Sequence, residues 1–154
     1  MKIQDNERKT KVKLMKKLGT GFVILIFFLH CDSEKKVDSD ESGVGSKGIG
    51  PVTSVSLGEI DLALAEKGKK NFEAKCSACH KFEEKVVGPG LQDVTIRRTP
   101  EWIMNMILNP VEMTQKDPIA KGLLEEHLTQ MTFQNIQETE AREILEYLRK
   151  MDKK

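Results

Sequence analysis

Apolar positions along the chain change their spacing twice. From Leu18 to Leu29 twelve residues (LGTGFVILIFFL) carry no charge. Within them Phe22–Leu29 is apolar without interruption, so a helix there has no polar face to turn outward. At about 1.5 Å per residue it falls short of the roughly 20 residues that span a bilayer. Residues 32–56 are rich in Ser, Gly and acidic residues and lack aromatics. Such a stretch cannot offset its ordering entropy by burial and reads as a flexible tether. Beyond residue 57 the period becomes helical. Ala65, Gly68 and Phe72 fall at i, i+3 and i+7, on one face. Glycine costs helix propensity at such a position, which points to close approach by another helix. Thr99-Pro100 opens a short helix over Pro100–Leu108, Ala120–Leu128 is a helical stretch, and Glu138–Met151 forms a final amphipathic helix. Its apolar stripe is Ile144, Leu145, Tyr147 and Leu148, beside Glu and Arg.

Charge separates the first of these regions from the rest. The whole chain has a formal net charge of +1, which gives no concentrated basic face for nucleic acid. Residues 1–30, however, hold seven Lys/Arg against two Asp/Glu. A basic flank (Lys9, Lys11, Lys13, Lys16, Lys17) before a short apolar run reads as an export signal or signal anchor, and Met15 could itself be its start. Cys31 follows the run directly, where a bacterial lipoprotein carries its acylated cysteine. His30 departs from the small residue expected there. Lipid on Cys31 or a retained apolar helix would each tether the protein to a membrane. The expected organisation is therefore a signal over 1–30, a tether over 31–56 and a domain over 57–154.

Chemistry concentrates in Cys76-Ser-Ala-Cys79-His80. A dithiol of the thioredoxin type uses the C-x-x-C spacing but wants a βαβ context and has no need of His80. Zinc needs four ligands, and adjacent Cys79 and His80 side chains diverge rather than close one tetrahedron. Covalent haem attachment uses all three residues: two thiols add to the vinyl groups at one porphyrin edge, and the imidazole turns beneath the ring to the iron. In bacteria that attachment happens outside the cytoplasm, in agreement with the export signal.

Over about residues 57–154 the chain resembles the small class I cytochromes c with a single haem. A helix over Ile60–Lys75 precedes Cys76, Gly88-Pro89-Gly90-Leu91 follows the attachment motif, Met131 comes late, and a helix with Tyr147-Leu148 ends the chain. The resemblance implies an all-α fold of four to five helices around one covalently attached haem c. It also implies that the first and last helices cross, with Gly68 and Phe72 against Tyr147. The Pro89 carbonyl would then accept a hydrogen bond from the second ring nitrogen of His80, fixing the imidazole. Gly-Pro-Gly is also plain turn chemistry, whatever its neighbours.

The sixth iron ligand has several candidates. Met104 and Met106 sit in the Pro100–Leu108 helix and read as core. Met113 lies between two prolines in a polar stretch and reads as solvated. His127 would give a bis-histidine haem but reads as a solvated histidine at a helix end. Met131, 51 residues after His80, stands where the family places its thioether, although Thr132 replaces the usual proline. Trp102 could donate its indole N–H to a haem propionate or be ordinary core.

With His80 and Met131 both bound, the resemblance implies a one-electron carrier rather than an enzyme. A five-coordinate haem enzyme or gas sensor is the alternative should Met131 not ligate, and a zinc or dithiol module the next. The implied partners are a membrane donor such as a quinol-oxidising complex and a terminal oxidase or reductase as acceptor. Asn109–Met131, with Asp117-Pro118 and Leu123-Leu124-Glu125-Glu126, resembles small cytochromes found beside nitrous oxide reductases. Lys81 and Lys85 are interleaved with Glu83 and Glu84, so long-range steering of a partner should be weak.

Overall fold

The computed structural model describes residues 45–153. The export signal, its Met15 start and Cys31 lie outside the described residues. Within them six helices and no strand occur: α1 (Leu62–Lys75), α2 (Val94–Arg97), α3 (Pro100–Leu108), α4 (Pro110–Lys116), α5 (Pro118–His127) and α6 (Glu138–Asp152). None is long and apolar enough to cross a membrane. The all-α expectation holds. The helix count exceeds four to five because the stretch around Met113 is helical and a short turn forms at Val94.

Local chemistry starts each element. Asp61 caps α1, its carboxylate accepting from the amides of Ala63 and Leu64. Prolines open α3, α4 and α5, where their missing N–H costs nothing. Gln137 and Glu140 form a reciprocal capping box at the start of α6.

The helices at the two ends of the domain make its largest contact. Gly68 of α1 lies directly on the α6 backbone: a Cβ there would come within 1.9 Å of the Glu143 carbonyl oxygen. Phe72, one turn on, packs against Tyr147 with ring centroids 5.5 Å apart. The crossing expected at Gly68, Phe72 and Tyr147 is therefore present. Behind it, the fully buried Glu146 carboxylate is paired with Arg142 and Arg149 and also accepts the Asp61 amide at 3.3 Å. A buried charge costs heavily unless so paired. The Asp61 amide bond to this paired carboxylate ties the start of α1 to α6.

Residues 45–56 correct the tether expectation. They are a strap laid across α3. Val52 is in the core, with Ile49 and Val55 packed against it. The buried Asn105 side chain donates to the carbonyls of Lys47 and Val52 and accepts from the Val52 amide, each at 2.9 Å. Glu101 accepts the Val55 amide and Asn109 donates to the Ile49 carbonyl. Positions 101, 105 and 109 share one helix face, so α3 offers side chains where a sheet would offer a neighbouring strand. Composition did not reveal this because the strap orders itself through its backbone, on residues some fifty positions away. Asn105→Ala leaves the buried Val52 amide and carbonyl and the part-buried Lys47 carbonyl without their partner. The expected loss is on the order of 3 kcal/mol, read as a lower guanidinium midpoint of the holoprotein.

Candidate functional site

The Cys76–His80 turn is set by how α1 ends. The Phe72 carbonyl accepts from the amides of both Cys76 and Ser77, and the Cys76 carbonyl then accepts from Cys79 and His80. Two donors on each carbonyl tighten the chain, so Cys76, Cys79 and His80 all line the same cleft. Cys76 is half-buried and Cys79 exposed, and they are not bridged. Burial pushes the Cys76 thiol pKa up. The following loop closes on itself, with the Gly88 amide donating to Cys79 and the Leu91 amide to Lys81.

His80 is held inside that loop. Its Nδ1 lies 3.0 Å from the Pro89 carbonyl oxygen. A carbonyl only accepts, so Nδ1 carries the proton and Nε2 keeps its lone pair. Gly88 makes room for this placement: a Cβ on it would lie 2.4 Å from His80 Cε1. Phe82 packs against both Phe72 and Tyr147, at 5.5 and 5.7 Å between centroids. The histidine loop is thus seated on the α1–α6 crossing.

The rest of the cleft is apolar, with Val94, Ile103, Leu123, Leu124, Ile144 and Leu148 among its walls. Met131 comes to it from the loop between α5 and α6. The other candidates sort by position. Met104 is core and not on the cleft, while Met106 lines it. Met113 is fully buried rather than solvated, its sulfur accepting the Ile49 amide. The strap is what covers it. His127 is also not solvated: its side chain is 6% exposed, it lines the cleft, and its buried Nδ1 has no hydrogen-bond partner. Trp102 donates its indole N–H to Asp117 at 3.1 Å, so that proton is engaged within the protein.

Arg97 and Arg98 were not singled out from the sequence, and both line the cleft. Arg97 donates to the carbonyls of Gln92 and Gly90. The Arg98 guanidinium lies over the Trp102 ring, 5.4 Å from its centroid. Desolvation and then neighbouring Arg97 lower the Arg98 pKa. Two cations on an apolar wall could hold the carboxylates of an apolar, dianionic ligand. The readable signal was an arginine pair next to an apolar helix, in a domain with a slight acidic excess.

These features fit haem c: two thiols and an imidazole with a free Nε2, apolar side chains lining the cleft, a thioether among them, and cations for carboxylates. They do not fit the competing chemistries. Among the described residues no group of three or more His, Cys, Asp or Glu converges as a metal site, whereas structural zinc takes four ligands. Among the described residues no strand gives a βαβ setting for a dithiol.

A helical domain closing around a C-x-x-C-H turn defines a covalent haem protein. Residues 65–152 match the family model described as cytochrome c, and the chain belongs to the cytochrome c family, whose members carry haem c covalently. Among solved structures, cytochrome c from Rhodothermus marinus is 50% identical, with a TM-score of 0.66 over 68% of this chain and 90% of that one. An engineered cytochrome c from the same organism, bound to a carbene intermediate, is 48% identical, with a TM-score of 0.64 over 68% of this chain and 92% of that one. The cytochrome c domain of the pp3183 protein from Pseudomonas putida is 26% identical, with a TM-score of 0.50 over 56% and 89%. No curated protein sequence gives a significant match. One haem c is thus the cofactor of this single-domain chain.

Proposed function

We propose that the protein is a one-electron carrier in which Cys76 and Cys79 hold haem c by thioethers and His80 and Met131 are its axial ligands. The observation that carries this reading is that one apolar cleft is lined by both an imidazole with its Nδ1 proton fixed on Pro89 and a thioether from the α5–α6 loop. When bound, haem c supplies reversible one-electron chemistry at iron. The chain's own contribution is to keep that change small in structural cost. Pro89 fixes the orientation of His80 and raises its donor strength, apolar side chains exclude water, and a thioether favours the ferrous state. His80 and Met131 would both hold the iron, which would leave no exchangeable site for substrate.

The carrier would work outside the cytoplasm, tethered through Cys31 or an uncleaved N-terminal helix. It would take electrons from a quinol-oxidising complex and pass them to a terminal oxidase or reductase. A second reading, an open-site haem enzyme or sensor, draws on the engineered relative bound to a carbene intermediate and requires Met131 to be off the iron. Carbon monoxide separates the two. The reduced holoprotein should show one reversible one-electron wave and no spectral change under carbon monoxide. Rapid carbon monoxide binding would favour the enzyme.

A further inference from the structure

Met131 is carried by a loop, residues 128–137, that has no regular structure of its own and holds two non-glycine residues, Leu128 and Asn135, at left-handed φ of 53° and 52°. Its C-terminal end is anchored by Ile136 in the core, and the end that bears Met131 is tied to α4 by a chain of side-chain contacts. The Thr114 hydroxyl, on a residue 5% exposed, lies 2.9 Å from Gln130 Oε1. The Gln130 amide nitrogen in turn donates to the Met131 carbonyl at 3.0 Å, with Pro110 O at 3.4 Å. Thr114 has one proton and two competing acceptors in its own helix, the carbonyls of Pro110 and Val111 at 3.1 and 3.0 Å. Gln130 offers the shortest contact of the three, and it is the one that reaches outside the helix.

We propose that Gln130 is a positioning residue for the iron ligand: anchored by Thr114, it latches the Met131 backbone to α4 and thereby sets how readily the thioether leaves the iron. This rests on Met131 being the axial ligand. The latch is a property of two neutral side chains, so its action does not depend on their ionisation. Its loss frees Met131 to swing away without unfolding the domain, because α1, α6 and the histidine loop are held by other contacts. A purely structural role would lower global stability and leave ligand exchange alone.

The test is imidazole binding to the full-length ferric holoprotein, followed beside the near-infrared charge-transfer band that sulfur-bound ferric haem shows. Gln130→Leu keeps the bulk and removes all three polar contacts; Thr114→Val removes the anchor isosterically, and Thr114→Ser keeps it. In the first two variants imidazole should bind about tenfold more tightly, the worth of one hydrogen bond of about 1.4 kcal/mol. In both, the band should melt at lower temperature than the helical signal. Thr114→Ser should behave as the unmodified protein. Affinities within twofold for both Gln130→Leu and Thr114→Val, with the band intact, would overturn the latch. A wild-type protein lacking the band would instead overturn Met131 ligation itself, and the latch with it.

Discussion

Met131→Ala lowers the reduction potential by on the order of 100 mV or more, within the roughly 0.8 V range over which axial ligands set haem potentials. The direction follows from the thioether's preference for ferrous iron: its removal leaves water, or His127, in its place, and both favour the ferric state more. His127 makes the outcome informative, because its buried Nδ1 has no partner and its side chain already lines the cleft. A low-spin haem in Met131→Ala that turns high-spin in Met131→Ala/His127→Ala would identify the imidazole as the replacement. An equilibrium redox titration against dyes of known potential reads the main effect. An unchanged potential would mean that Met131 never bound the iron.

Gly68→Ala has the largest expected effect on stability, more than about 3 kcal/mol. The new methyl would meet the Glu143 carbonyl oxygen at 1.9 Å, the Glu143 carbonyl carbon at 2.4 Å and the Ile144 nitrogen at 2.8 Å. All are backbone atoms of α6 and cannot rotate aside, so the helices must separate. Separation draws Phe72 off Tyr147 and loosens Phe82, and with it the loop that carries His80. Gly122→Ala is the contrasting case. Nothing lies within 4 Å of its added methyl, so better helix propensity should raise stability by up to about 1 kcal/mol. Guanidinium denaturation of the holoprotein checks both. A loss below about 0.5 kcal/mol for Gly68→Ala would show that α1 and α6 do not depend on that contact.

What could be read from the chain followed local rules. The faces of α1 and α6, the Thr99-Pro100 start of α3 and a close helix approach at Gly68 all come from spacing and from residue types whose cost demands a reason; that the partner is α6 came from the family resemblance. The Cys76–His80 turn was legible for the same reason, as three reactive side chains in five positions are hard to explain otherwise. What stayed hidden was set by residues distant in sequence. The strap over 45–56 looked like a tether because its order comes from Glu101, Asn105 and Asn109. Met113 looked solvated because the strap that covers it was itself misread. For Trp102 the sequence alone allows a propionate donor or a core residue, and Asp117, at the N-cap of α5, takes its indole proton. His127, Arg97 and Arg98 are polar residues drawn onto an apolar cleft, where composition gives no guide and only the closed fold brings them together.

The central claim, a haem c carried on Cys76, Cys79 and His80 and completed by Met131, is tested most directly by one spectrum. The full-length holoprotein, matured with covalent haem, should be oxidised and scanned in the near-infrared. The account predicts the weak charge-transfer band of sulfur bound to ferric haem. A covalently attached haem whose oxidised spectrum lacks that band would contradict it.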